Sequence, residues 1–407
     1  MYIKRQIQKV FEVAERYYPI VMVTGARQVG KTTFLRAIKT AERNYVTLDD
    51  PRERVIAQTD PALFLQKHPS PVIIDEIQYA PELFPYLKMI VAENKQAGQY
   101  WLTGSQQFHL MKNVTESLAG RVALIELMGF SEAEILGSIS KIKLFSTLPE
   151  ELKLRETTAT KNQLEYIYER ILRGSMPELV INKGLGTELF YNSYIQTYLK
   201  RDVKALTQVG NETQFFKFLR AIAARTAHVL NKADIAKDIG ISPKTVDSWL
   251  SILVASGIVF LLEPYFTNIN KRLVKSPKLY MLDTGLCCFL CGWTDWKTLE
   301  SGAQNGAILE NWVISELLKN HKYNGSSAQF YYLRTRDNSE IDLIIAQNGL
   351  LYPVEIKKAA NPAKKDIRNF VTLRNLTKEI GHGGVICFSD KVYAIDEMNS
   401  AIPVTKI

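Results

Sequence analysis

Five short apolar runs occupy the first third of the chain, at residues 20–24 (IVMVT), 45–48 (YVTL), 71–74 (PVII), 100–102 (YWL) and 122–127 (VALIEL). Each is rich in β-branched or aromatic residues, and a helical pattern over 33–39 follows the first, so the region predicts an open α/β sheet. Residues 150–225 change character: Leu, Glu, Lys, Tyr and Arg recur at helical spacing, interrupted by Gly and Pro at 174–177. Helix-turn-helix spacing comes next, with one helix over 233–239, a turn at Gly240 and Ile241, then Ser242 as N-cap and Pro243 as first helical residue. Its second helix would carry Val246, Trp249, Leu250 and Leu253 inward and leave Lys244, Thr245, Asp247 and Ser248 outward. The runs IVFLL (258–262) and KLYML (278–282) predict two strands behind it. From about residue 300 a helix (307–319), a hairpin-like pair (330–333 and 341–345), a strand (352–356), a helix from Lys364 and a strand near 384–388 predict an α/β unit able to fold alone.

Composition narrows the class without naming a function. A chain of 407 residues exceeds one compact core, and 46% hydrophobic with 23% charged residues is ordinary for a globular protein. The longest uncharged apolar stretch, 248–262, falls short of the roughly 20 apolar residues that span a bilayer, so no membrane helix is expected. Cys288 and Cys291 form one C-x-x-C, but Cys287 and Cys387 supply no second pair for zinc, and core thiols are expected. No secretory pattern opens the sequence, and a reduced, cytoplasmic setting is expected. The net charge of +9 favours polyanions such as DNA, or is merely a basic surface.

The sharpest chemical signal is GARQVGKT at 25–32, a complete phosphate-binding loop between a strand and a helix. Gly25 and Gly30 let the backbone curl, so that Gly25, Ala26, Arg27, Gln28, Val29, Gly30, Lys31, Thr32 and Thr33 present N–H groups and side chains to the phosphates of ATP. Lys31 is expected on the β and γ phosphates and Thr32 on Mg²⁺. Asp75 and Glu76 end the third run, at the carboxyl end of a strand where open sheets bind ligands. Asp75 is expected on the metal side and Glu76 as the group that orients water. After the fourth run, Ser105 is favoured over Thr103 as a γ-phosphate or water contact, with plain turn residues as the alternative. Arg121 in SLAGR is either a finger reaching a neighbouring subunit's nucleotide or a surface ion-pair residue.

The segments VTGARQVGKTTFL, TLDDP, VIIDEIQYAPELF, LTGSQQF, SLAGR, RGSMPELV (173–180) and YLKRDV (198–203) together resemble the bacterial and archaeal AAA-type (AAA_14) ATPases that carry a C-terminal DUF4143 region, here about 195–360. The resemblance extends over nearly the whole chain. It implies kinship with AAA+ and STAND P-loop NTPases, nucleotide-dependent conformational change and a homo-oligomer. STAND relatives meet adenine through a Gly-x-Pro signature; Gly174-Ser175-Met176-Pro177 holds one residue more. Arg201 in YLKRD is a second sensor or a helix-surface residue.

In the second half, Lys271, Arg272, Lys275 and Lys278 add positive charge between the two strands behind the helix-turn-helix, which resembles a winged helix. Such modules contact DNA or serve as protein-interaction elements. Further on, Asp342 begins one strand while Glu355 and Lys357 share a face of the next. With Glu310 on the preceding helix, this matches the D…ExK pattern of restriction-endonuclease-like nucleases, whose acids hold Mg²⁺ and whose lysine stabilises developing charge. The expected organisation is an ATPase core (1–148), a helical lid (149–225), a winged-helix-like domain (226–298) and a PD-(D/E)xK nuclease-like domain (299–407). Two functions follow: an ATP-hydrolysing, DNA-directed machine, or a STAND-like switch that binds a protein partner and keeps the nuclease-like acids as structure.

Overall fold

Ile20–Thr24 (β1) is buried at every position, which is why it reads as a continuous apolar run: a strand flanked by parallel neighbours inside an α/β unit has no solvent face. The structure, a computed structural model, describes residues 2–104, 118–139, 143–155, 162–199, 212–266, 276–335 and 339–407. The chain divides into two compact units, one of Met1–Phe130, Met176–Glu178 and Ser251–Ile258, the other of Ser131–Ser175, Leu179–Leu250 and Val259–Ile407.

In the first unit, Asn44–Thr47 (β2), Val72–Asp75 (β3), Tyr100–Gly104 (β4) and Val122–Glu126 (β5) join β1 in an all-parallel sheet of order β2-β3-β4-β1-β5. One face packs Met22, Ile74 and Leu102 against Leu83, Phe84 and Leu87 of the helix Leu83–Glu93. Near the N-terminus, Phe11 of the helix Gln8–Tyr17 sits edge-on to Phe34 at 5.5 Å and Trp101 at 4.8 Å. Burying one such ring contributes roughly 1.5–3 kcal/mol. Asp50 and Asp60 cap two short helices, each with proline in the first turn.

The second unit holds the described helices of the predicted lid, including Gln163–Arg173, Thr187–Tyr194 and Glu212–Ala223. Lys232–Ile239 and Pro243–Ala255 follow as two helices joined by a turn, the second helix passing into the first unit from Ser251 on. Gly240 closes the first helix in the left-handed conformation, and Ser242 Oγ accepts from Thr245 N–H at 3.1 Å. Val246, Trp249, Leu250 and Leu253 are buried.

His228–Val229 (β6), Val259–Pro264 (β7) and Lys278–Met281 (β8) then open a nine-stranded sheet. Its other strands are Gln329–Arg334 (β9), Glu340–Gln347 (β10), Leu350–Ile356 (β11), Gly383–Cys387 (β12), Tyr393–Asp396 (β13) and Asn399–Pro403 (β14), in the order β13-β14-β12-β11-β10-β9-β7-β8-β6. The β7–β9 pairing is parallel, so the strands behind the helix-turn-helix continue into the C-terminal sheet. That long-range pairing leaves no periodic trace in the sequence. Cys287, Cys288 and Cys387 are buried and Cys291 half-buried, all as free thiols. No helix among the described residues is long and apolar enough to cross a membrane.

Candidate functional site

The phosphate loop leaves β1 through Gly25, at φ 141°. A Cβ there would fall 2.0 Å from the Leu127 carbonyl oxygen, so only glycine fits. Gln28 and Gly30 also take positive φ, and Gly30 leads directly into the helix Lys31–Ile38, whose first N–H groups face the loop. Lys31 is buried, and its ammonium donates to the carbonyls of Gly25 at 3.0 Å and Ala26 at 2.8 Å, which holds it folded along the loop.

Beside it, β3 delivers Asp75, only 4% exposed. Three hydroxyls converge on its carboxylate: Thr32 at 2.8 and 3.1 Å, Tyr45 at 2.9 Å and Thr103 at 2.5 Å. Burial, and then the Asp75 charge, push the Tyr45 phenol up to about 12, so it stays a donor. Glu76 follows with φ 58°, a left-handed conformation that costs a non-glycine residue on the order of 1 kcal/mol. Its N–H donates to Thr103 Oγ at 3.0 Å and its carboxylate accepts from Gln78 Nε2. Thr103 therefore holds the two acids of the DE pair, one on each side of its hydroxyl.

The donor set of one carboxylate and one threonine hydroxyl suits Mg²⁺, which binds few protein oxygens and completes its shell with water and phosphate. Thr32 and Asp75 are the residues that would hold it.

Arg5, which has no motif in the sequence, is 2% exposed and donates to the carbonyls of Val29 at 2.9 Å, Met128 at 2.7 Å and Gly129 at 3.3 Å. Its guanidinium lies 4.6 Å over the Phe130 ring. It ties the phosphate loop to the segment after β5. The Pro177 ring comes within 4.0 Å of the position a Cβ on Gly30 would take, and a Cβ on Gly257 would lie 3.4 Å from Ala26 N. Proximity of residue 177 to residue 30, and of 257 to 26, is invisible in a linear reading.

Arg121 immediately precedes β5, which runs parallel to β1 with Val122 opposite Ile20. It therefore sits at the end of the sheet opposite the phosphate loop, a strand length of roughly 13 Å or more away. Ser105 and Arg201 lie outside the described residues, as do Lys271, Arg272 and Lys275.

Antiparallel pairing of β10 with β11 sets Asp342 across from Glu355. Lys357 Nζ lies 3.3 Å from Asp342 Oδ2 and 2.6 Å from Glu355 Oε2, and Asp342 also accepts from Ile356 N–H at 2.8 Å. Glu310, on the helix Asn305–Tyr323, accepts from Lys278 Nζ at 3.0 Å and Tyr280 OH at 2.6 Å. Lys278 also pairs with Glu340 at 2.5 Å. Burial, then the Asp342 charge, lift Glu355 to about 9, and burial against the opposing Lys278 charge leaves Glu310 at about 7. Burial would raise Asp342 too, but the charges of Lys357 and Lys278 outweigh it and hold this acid below its ordinary value. The fold thus brings all four members of the D…ExK reading together. Lys278, counted with Lys271, Arg272 and Lys275 as positive charge between the two strands, is 1% exposed and committed to carboxylates. A lysine in a strand read as wing gives no hint that the neighbouring sheet strands cover it.

Residues 17–136 match an AAA domain (AAA_14), 164–297 a domain of unknown function (DUF8612), and 305–407 a domain of unknown function (DUF4143). The DUF4143 match begins well after the 195 expected from the resemblance. A P-loop domain of this kind binds nucleotide, and the chain belongs to the AAA-domain family that carries a C-terminal DUF4143 region. It is 30% identical over 350 residues to the uncharacterized protein Rv2008c of Mycobacterium tuberculosis and equally to Mb2031c of Mycobacterium bovis, covering 85% of this chain and 71% of each relative. Among solved structures it is similar to RuvB of Thermotoga maritima, at 15% identity and TM-score 0.29 over 63% of this chain and 88% of that one. A STAND protein with a tetratricopeptide repeat sensor from Pyrococcus horikoshii gives 14% identity and TM-score 0.28 over 80% and 48%. Likenesses of that size do not bear on function.

Proposed function

We propose that this protein is a Mg²⁺-dependent ATP hydrolase that works as a cytoplasmic homo-oligomer and directs its nucleotide cycle to DNA through the helix-turn-helix and the nuclease-like sheet. The observation that carries the ATPase reading is the continuous chain Thr32–Asp75–Thr103–Glu76. It joins the threonine of the phosphate loop to an acid in a strained left-handed conformation, where the carboxylate is held for use rather than for stability. Glu76 is assigned to orient the attacking water and accept its proton; Lys31 leaves its two loop carbonyls to meet the phosphates. Mg²⁺ held by Thr32 and Asp75 would supply charge neutralisation on the transferred phosphoryl group. The DNA reading is supported by the exposed Lys244 and Ser248 at the start of the second helix and by the antiparallel pairing of β7 with β8, which suits a winged-helix reading of the segment. Asp247 on the same face is paired with Lys232 at 2.5 Å. Arg121, at the far end of the sheet, suits a finger acting on another subunit rather than on its own nucleotide.

The deciding experiment is ATP turnover with and without single-stranded, duplex and branched DNA. Lys31→Ala should abolish nucleotide binding; Glu76→Gln should keep it and lose roughly 10²–10⁴-fold in turnover. Wild-type turnover by Glu76→Gln removes that residue from the mechanism, and turnover and oligomeric state indifferent to DNA, with no binding at low salt, remove the DNA role.

A second reading, a STAND-like switch that binds a protein partner, is favoured by Pro177 beside Gly30 at the phosphate loop. Retention of ADP through purification would support it. Rapid multiple turnover by a monomer would count against it.

A further inference from the structure

The D…ExK pattern implies a divalent metal on Asp342 and Glu355, and the side chains can be tested for that role. Asp342 Oδ2 is committed to Ile356 N–H and to Lys357, Glu355 Oε2 to Lys357, and Glu310 Oε1 to both Lys278 and Tyr280. Glu340, at the start of β10, is taken by Lys278 at 2.5 Å. Among the described residues no three carboxylates, histidines or cysteines converge as metal ligands do. Four acids face two ammonium groups: Lys357 takes one oxygen each of Asp342 and Glu355, Lys278 takes one each of Glu310 and Glu340, and among the described residues Glu355 Oε1 is left buried without a hydrogen-bond partner. Lys357 is the lysine the nuclease pattern expects; Lys278 is not part of that pattern. It enters from β8, three strands away from β10 in the sheet order, with a side chain 2% exposed. Its Nζ also lies 5.6 Å over the Tyr332 ring. An ammonium so placed is fixed from several sides, and removing it would leave the half-buried carboxylates of Glu310 and Glu340 without their cation.

We propose that Lys278 is the resident cation of this cluster: its ammonium stands in for a metal, binding β8 to the helix Asn305–Tyr323 and to β10, so that the D…ExK acids form a metal-free ion-pair core. The inference rests on the nuclease-like reading of this sheet and deepens it: this region holds its target without hydrolysing a phosphodiester.

The test uses the full chain carrying Asp75→Asn, which silences the metal side of the ATP site, and counts bound Mn²⁺ by electron paramagnetic resonance at millimolar Mn²⁺. With Lys278 intact, no bound equivalent is expected. One bound equivalent that disappears on adding Asp342→Asn would overturn the proposal, as would Mg²⁺-dependent nicking of DNA that Asp342→Ala abolishes. Lys278→Met should lower the melting temperature by roughly 5–15 °C, as expected for a buried ion pair broken on one side. An unchanged melting temperature would show that Lys278 is not a structural cation. Should Lys278→Met not fold, the Mn²⁺ count on the Lys278-intact protein still decides. DNA stimulation of ATP turnover, measured on the protein with Asp75 restored, can fail while the Mn²⁺ count holds, which separates this proposal from the one it rests on.

Discussion

Thr103 Oγ donates to Asp75 Oδ1 at 2.5 Å while accepting the Glu76 N–H at 3.0 Å. One fully buried hydroxyl on β4 therefore sets the positions of two consecutive acids at the end of β3. Outer-shell groups of this kind act by orienting the residues that touch substrate and metal.

Thr103→Val keeps the shape of the side chain and removes both hydrogen bonds. ATP turnover should fall roughly 10–100-fold with nucleotide affinity little changed, whereas Thr103→Ser should restore most of the rate. Steady-state turnover and nucleotide titration on the same preparations check the split. Equal loss in the serine and valine variants would mean the methyl packing, not the hydroxyl, matters.

Arg5→Met leaves the carbonyls of Val29, Met128 and Gly129 without their buried donor. Chemical denaturation should show a loss on the order of 3 kcal/mol, and nucleotide binding should weaken because the phosphate loop loses its tie to the segment after β5. Unaltered nucleotide affinity in a destabilised Arg5→Met protein would confine Arg5 to a structural role.

His321 is 3% exposed, with Nδ1 3.1 Å from Ser326 Oγ and its ring edge-on to Phe330 at 5.0 Å. Burial, and then the Arg155 charge, push it down to about 4. A depressed value means that the unfolded chain binds the proton first as pH falls. The stability is therefore present above about 6.5 and lost as pH drops from there toward 4, on the order of 3 kcal/mol in all. Denaturation of wild type and His321→Gln at pH 7 and pH 5 should show a steeper loss in the wild type. Parallel pH profiles would mean His321 titrates normally.

Local patterns were legible where one residue's neighbours in sequence are also its neighbours in space. The loop 25–32, the DE pair at 75 and 76, the five parallel strands and the Ser242–Pro243 helix start all depend on short-range geometry, and each stands where the apolar runs and turn residues place it. The strands β13 and β14 leave no clear trace in the sequence because both are short and carry polar residues such as Asp396 and Asn399 at the turn that joins them.

What the sequence determined by itself is the nucleotide chemistry: a glycine loop, a lysine, a threonine and two acids at strand ends need no distant partner to be recognised. Tertiary structure decided the rest. It chose Thr103 as the link between Asp75 and Glu76, brought Arg5 to the loop from the N-terminal segment, and turned Lys278 from a strand lysine with no stated partner into the cation of a buried acid cluster. The reason is common to all three. Whether a charge faces water or a carboxylate depends on which strands cover it, and strand order across a nine-stranded sheet is settled by long-range packing that no window of sequence contains.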